Sequence, residues 1–169
     1  VYNCVEALTN NPQVQELLHP SGLIDAPISL NENALLLDVQ AECPNGKTFI
    51  IHLKAKLDNF TIDLESDTVV VNDVKTIGKV VSEIDSNISK YHYSRELAMY
   101  LFLLRLYVIK EYGIENPTMK ANYLVVSTVP QYYTKVRAMT KKECYAGLHE
   151  FRTLLRYAAY QIGYNGYSL

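Results

Sequence analysis

Val69-Val70-Val71-Asn72-Asp73-Val74-Lys75-Thr76 is the stretch on which the reading of this chain turns. Its first half is an apolar β run of the kind that lies inside a sheet with both faces covered. At its end the side chains switch abruptly to Asp and Lys. Period-two alternation puts Asp73 and Lys75 on one side of the strand, one pleat apart. Charges at a buried strand end need partners, because burying an isolated one is very costly. One chemical solution is a divalent cation held by the carboxylate, with the ammonium beside its bound water. A surface Asp and a plain Asp–Lys pair is the other.

A second carboxylate stands upstream. Asp58 closes the run Lys54-Ala55-Lys56-Leu57-Asp58, and the chain then folds back through Glu65-Ser66-Asp67. This return brings the Asp58 end of one strand toward the Asp73 end of the next, so the two carboxylates can converge. Working outward, Ala34 to Glu42 and Thr48 to Leu57 are β-rich runs joined by Cys43-Pro44-Asn45-Gly46-Lys47, whose Asn-Gly is a strong hairpin signal. Thr61 to Leu64 and Thr68 to Lys75 form a second pair. Tyr2 to Leu8 and Pro12 to Leu18 are short helical stretches; Asn11-Pro12 supplies a cap and a first-turn proline, and His19-Pro20-Ser21-Gly22 a stop. Tyr91 to Tyr112 reads as a long, largely buried helix ended by Gly113. Strand-like runs Asn122 to Val129 and Tyr132 to Met139 follow. A last helix opens with the capping box Thr140-Lys141-Lys142-Glu143 and runs toward Ile162, ending between Gly163 and Gly166. This order predicts an α/β (α+β) fold, a mixed sheet flanked by helices, in one domain spanning 1–169.

Composition bounds the function. The 169 residues are 49% hydrophobic and 20% charged, enough apolar material for a core and too much for a disordered chain. No apolar run approaches the length a membrane helix needs; the best candidate, Leu97 to Ile109, is cut by Arg105. No basic region followed by an apolar stretch opens the chain, and Cys4, Cys43 and Cys144 are odd in number and far apart. Both features predict reduced thiols and a cytoplasmic location without a membrane. The chain starts at Val1 without an initiator Met, so the reading allows for a missing N-terminal segment. Net charge is −2, but it is unevenly spread: three basic and eleven acidic residues through Val74, then thirteen basic and seven acidic from Lys75 onward. A near-neutral total therefore does not argue against a nucleic-acid partner.

Lys54-Ala55-Lys56-Leu57-Asp58, a loop, then Val70-Val71-Asn72-Asp73-Val74-Lys75-Thr76 resembles the signature of the PD-(D/E)XK nucleases. More narrowly, it is similar to the phage-type and RecB-like exonucleases, whose motif runs roughly G-x-I-D … I-x-D-x-K-T. The downstream Tyr91-His92-Tyr93-Ser94-Arg95-Glu96-Leu97-Ala98-Met99-Tyr100 is similar to the Y-x-x-Q-x-x-x-Y helix of the same group. The resemblance covers Lys54 to Tyr100, and the rest by pattern only. It implies a restriction-endonuclease-like core. It also implies that Asp58, Asp73 and the Val74 backbone carbonyl hold Mg2+ or Mn2+, and that Lys75 positions or activates the attacking water. Tyr93, Tyr100 and position 96 then line the active site, with Thr76, His92 and Arg95 as supporting or DNA-facing residues. The implied activity is metal-dependent exonucleolytic hydrolysis of DNA in phage or prophage recombination or repair. Implied partners are DNA and a single-strand annealing protein or recombinase, with a homo-oligomer left open.

The chain departs from that pattern at two points. Position 96 is Glu rather than Gln, which can add a carboxylate to the metal cluster, pair with Lys75 or mark divergence. The upstream Glu or His of many relatives has no secure counterpart, although Glu6, Glu16 and His19 are candidates. These departures keep a second reading open, a catalytically degraded nuclease-fold module for DNA binding or assembly.

Other chemistries find no support. Cysteine and histidine spacing suits neither zinc nor an iron–sulfur cluster, and there is no glycine-rich phosphate loop and no G-x-S-x-G. His52 and His149 read as structural. Tyrosine is abundant, 14 residues against 4 Phe and no Trp. Tyr132, Tyr133, Tyr145, Tyr157, Tyr160, Tyr164 and Tyr167 lie among basic residues in the last part of the chain. Such a mixture can track a phosphate backbone while rings stack on bases, but helix–sheet packing accounts for most of these rings.

Overall fold

The computed structural model describes residues 2–20, 27–43 and 45–165. Ser21, Gly22, Pro44, Gly166 and Tyr167, to which the sequence assigns parts in turns or in the aromatic tail, lie outside them. Two short helices, α1 (Tyr2–Thr9) and α2 (Pro12–Leu18), come first. Asn11 caps α2 by accepting from the Gln13 N–H at 2.9 Å. Strands β1 (Ile28–Glu42), β2 (Thr48–Asp63) and β3 (Thr68–Ile77) follow, then helices α3 (Ile84–Lys90) and α4 (Tyr93–Tyr112). β4 (Thr118–Ser127), β5 (Thr134–Ala138) and α5 (Lys141–Asn165) complete the chain. The strands form one sheet in sequence order, in which every neighbouring pair is antiparallel except β3 and β4. The fold is thus α/β, a mixed five-stranded sheet with helices on both faces. Among the described residues no helix is long and apolar enough to cross a membrane.

The structure departs from the sequence reading in starting β1 at Ile28 rather than Ala34 and β4 at Thr118 rather than Asn122, and in adding α3. Two further differences concern the site. β2 is one continuous strand through Asp58, not two strands meeting there. Its apolar phase does break: Ile51, Ala55 and Leu57 are buried on odd positions, Phe60 and Ile62 on even ones. That shift read as a strand end. The backbone instead absorbs it at the site opposite, where Glu32 of β1 has φ 48° and neither it nor Asp58 is a ladder partner of the other. The second difference is the start of α4. Tyr91 and His92 belong to a break between α3 and α4, and His92 sits in the left-handed region at φ 55°. The helix therefore begins at Tyr93. At its other end Gly113, at φ 71°, donates to the Ile109 carbonyl and stops it.

A feature with no counterpart in the sequence reading runs across the sheet. Asn31, Asn59, Asn72 and Asn122 are successive cross-strand partners on β1, β2, β3 and β4. Their amides form a ladder: Asn122 Nδ2 donates to Asn72 Oδ1 at 3.0 Å, Asn72 Nδ2 to Asn59 Oδ1 at 2.7 Å, and Asn59 Nδ2 to Asn31 Oδ1 at 2.9 Å. Asn72 Nδ2 also reaches the Leu17 carbonyl of α2 at 3.3 Å, so this face is the one α2 covers. The alternate residues of β3, Asp73 and Lys75, face α4 on the other side.

α4 and α5 pack on one another where α5 carries Gly147. A Cβ there would lie 2.1 Å from the Ser94 carbonyl oxygen, in the first turn of α4. Gly147→Ala must therefore push that turn away. Overpacking of this kind costs about 1–3 kcal/mol, which lowers the melting temperature of a chain this size by roughly 2–4 °C per kcal/mol. Calorimetry checks it; an unchanged melting temperature contradicts the close crossing.

Candidate active site

Between β2 and β3 the ladder runs from Asp63 and Thr68 to Asn59 and Asn72, and no further. Beyond that point β3 continues beside β4 while β2 continues beside β1, and the sheet forks. Asp58 and Asp73 are the next residues on the two arms. The fork leaves the Val74 N–H without a strand partner, and Asp58 Oδ2 accepts it at 2.7 Å. In an extended strand the N–H and C=O of one residue point to the same side. The Val74 carbonyl is therefore directed into the fork, beside Asp58.

Asp73 is only 4% exposed, whereas Asp58 is open to solvent. Lys75 Nζ lies 2.9 Å from Asp73 Oδ2 and 2.8 Å from Glu96 Oε2 of α4. Lys75 is thus shared between two carboxylates, with the better-aligned hydrogen bond going to Glu96 and an ion pair to the buried Asp73 Oδ2. Burial pushes the Asp73 carboxyl up to about 7; Lys75 opposes the shift, and the Glu96 and Asp58 charges add to it. For Lys75 burial works downward, but Asp73 and Glu96 outweigh it and hold the ammonium above its ordinary value.

α4 supplies the rest of the wall at helical spacing. The Tyr93 ring lies under the ammonium, with Lys75 Nζ 4.7 Å from its centroid. Tyr100 donates to Glu96 Oε1 at 3.1 Å, and burial followed by the Glu96 charge raises its phenol well above the ordinary range. Glu96 is thus held at both oxygens, by Lys75 and by Tyr100. Among the three roles its sequence position allows, the geometry is that of a partner for Lys75. His92 and Arg95 turn away toward α5: His92 Nδ1 is 3.0 Å and Arg95 3.9 Å from the Glu150 carboxylate. Glu150 escaped the sequence reading because nothing local ties it to His92 and Arg95, more than 50 positions earlier. Thr76 is exposed and, by alternation, on the strand face opposite Lys75. Glu6, Glu16 and His19 lie on or beside α1 and α2, and none of them joins Asp58 and Asp73. Among the described residues no three His, Cys, Asp or Glu side chains form a cation-holding group.

The donor set still suits a hard divalent cation. Two carboxylates and a peptide carbonyl are all oxygen, and they stand together at the mouth of the fork, close enough for the Asp58 charge to act on Asp73. Mg2+ in particular binds through one or two carboxylates and keeps several waters, so a third acidic side chain is not required.

Among solved structures, the chain is similar to a provisionally named exonuclease from Eubacterium rectale. The two share a fold. The TM-score is 0.59 at 11% sequence identity, over 99% of this chain. This chain spans about half of that protein, 54% of its length. Neither a family model nor a curated protein sequence matches the chain.

Proposed function

We propose that the protein is a metal-dependent exonuclease that hydrolyses phosphodiester bonds in DNA. The observation that carries this reading is the fork itself: Asp58, Asp73 and the Val74 carbonyl at the point where β2 and β3 part, with Lys75 alongside. The shared fold with a protein named as an exonuclease supports it, as does the resemblance of the Lys54-to-Tyr100 region to the PD-(D/E)XK nucleases. Mg2+ or Mn2+ held by Asp58, Asp73 and the Val74 carbonyl would polarise the phosphate and acidify a bound water.

The chain's own residues do the remaining work. Asp58 is fixed through Oδ2 by the Val74 N–H and stays open to solvent. Asp73 supplies the second carboxylate, with Lys75 Nζ 2.9 Å from its Oδ2. Lys75, steadied by Glu96 and the Tyr93 ring, presents a cation where the attacking water and the phosphate charge would lie. Glu96 and Tyr100 are positioning residues that set the Lys75 ammonium.

The test is hydrolysis of linear DNA in Mg2+. Expected are release of mononucleotides from ends, no cutting of closed circular DNA, and complete loss in EDTA. Metal-independent cleavage, or cutting of circles, overturns the exonuclease reading. A degraded, non-hydrolytic module is the second reading, favoured by the want of a third acidic side chain. It predicts that titration calorimetry finds no Mn2+ site, whereas the nuclease reading predicts one that Asp58→Asn removes. The role of Glu96 has its own check. Glu96→Ala releases both Lys75 and Tyr100 and should slow hydrolysis by about 10–100-fold, the scale of an active-site misplacement. Glu96→Gln keeps an acceptor for both and should lose much less.

A further inference from the structure

We propose that the outward face of α5 is a binding track for single-stranded DNA. α5 contains two carboxylates, and both are already paired: Glu143 accepts from Arg137 at 2.6 Å, and the half-exposed Glu150 meets His92 and Arg95. What faces solvent is aromatic and basic. Tyr145, Tyr157, Tyr160 and Tyr164 are 73%, 62%, 42% and 76% exposed, and Arg152 and Arg156 lie exposed between them with no carboxylate partner among the described residues. Helix–sheet packing, the expectation from sequence, does not describe these four rings. Lys142 and His149 are also exposed, and at 100° per residue all eight side chains fall on one side of the helix. From 142 to 164 that side is about 33 Å long.

Exposed rings set among guanidiniums with no carboxylate partner complement a flexible polyanion whose bases are free to stack. Tyr160 and Tyr164 are already stacked, with centroids 5.7 Å apart and planes 18° apart. A duplex would match the charge but leave the rings idle, since its bases are stacked on one another. The track also starts near the site. Gly147 and Glu150 pack α5 against the first turn of α4, the turn that carries Glu96. Naming DNA as the polyanion rests on the nuclease reading; the aromatic and basic face does not.

The experiment is fluorescence anisotropy in EDTA with a labelled oligothymidylate of about 20 nucleotides, which exceeds the site size of a typical single-strand groove. Wild type should bind, with affinity falling as salt rises. Tyr145→Ala with Tyr157→Ala should weaken binding about tenfold or more at an unchanged salt slope, since stacking is worth about 1–3 kcal/mol per base. Arg152→Ala with Arg156→Ala should weaken it and reduce the slope by about 1.4, two phosphates at about 0.7 each. Hydrolysis of bis-p-nitrophenyl phosphate, too small to reach α5, should be the same in all three proteins. Variants that bind like wild type overturn the track even if DNA is hydrolysed normally, and the nuclease reading then survives alone. Variants that lose binding in a protein that hydrolyses nothing uphold the track without the nuclease. Equal binding of a matched duplex, indifferent to the Tyr substitutions, or loss of self-association instead of DNA binding, also overturns it.

Discussion

Asp73→Asn is expected to abolish hydrolysis while leaving the protein at least as stable as wild type. In the proposed mechanism Asp73 is a ligand, and ligand loss removes most of the several kcal/mol of transition-state stabilisation a metal supplies. At 1.36 kcal/mol per tenfold, the loss is about a thousandfold or more. Stability moves the other way for a definite reason. The Asp73 side chain is buried, it shares the Lys75 ammonium with Glu96, and burial already pushes the carboxyl up to about 7. A neutral amide of the same shape avoids that desolvation cost, and Lys75 keeps Glu96 as a counter-ion. The pattern is the familiar conflict between function and stability at a site. Lys75→Met should separate the two effects further. It removes the cation and slows hydrolysis severely, but it also strands Asp73 among the Glu96 and Asp58 charges and should lower the melting temperature. Hydrolysis rates together with calorimetry in EDTA check both variants. A melting temperature several degrees lower for Asp73→Asn, or turnover within tenfold of wild type, contradicts the account.

The sequence made the polar end of β3 legible because an apolar run switching to Asp-x-Lys is a local signal, and period-two alternation is enough to pair Asp73 with Lys75. The α4 contribution was legible for the same reason: Tyr93, Glu96 and Tyr100 are three and four residues apart and must share a face. The fork was not legible. There β2 leaves β3 at Asn59 while keeping β1, opposite a Glu32 at φ 48° on a third strand, and pairing across three strands is not a local signal. A change of apolar phase at Asp58 looks alike whether a strand ends or twists across, so the run was read as two strands. The same limit hid Glu150, which reaches His92 and Arg95 only because Gly147 lets two helices cross closely. Burial of the α5 tyrosines was also out of reach. An amphipathic stripe of Tyr and Arg has the same sequence period whether it faces the core or water, and only the packing of α5 decides that four rings face out.

Asn72→Ala should be the most destabilising of the single substitutions considered. Asn72 is fully buried in the central strand and serves three partners at once: it donates to Asn59 Oδ1 and to the Leu17 carbonyl, and accepts from Asn122 Nδ2. Alanine leaves all three without it. An orphaned buried polar group costs about 1–3 kcal/mol, so a total near 3 kcal/mol or more is expected, or about 10 °C in melting temperature at this chain length. The damage should also reach the site. Asn59 and Asn72 are the last pair of the β2–β3 ladder before the fork, and the amide bond between them is what holds the two arms together where Asp58 and Asp73 emerge. Hydrolysis should therefore fall along with stability, although no ladder residue faces the Asp73 side. What distinguishes a polar network from a plain packing defect is the behaviour of a combined change. Replacing Asn59, Asn72 and Asn122 together by Val removes the two inner amide–amide bonds donor with acceptor, leaves the Leu17 carbonyl and the outer acceptors Asn31 Oδ1 and Ser29 Oγ without those donors, and supplies β-branched side chains suited to a sheet interior. The triple variant should melt above Asn72→Ala despite carrying three substitutions. If the three changes instead add, each costing what it costs alone, the ladder is a row of independent contacts and not a network that locks the register of four strands.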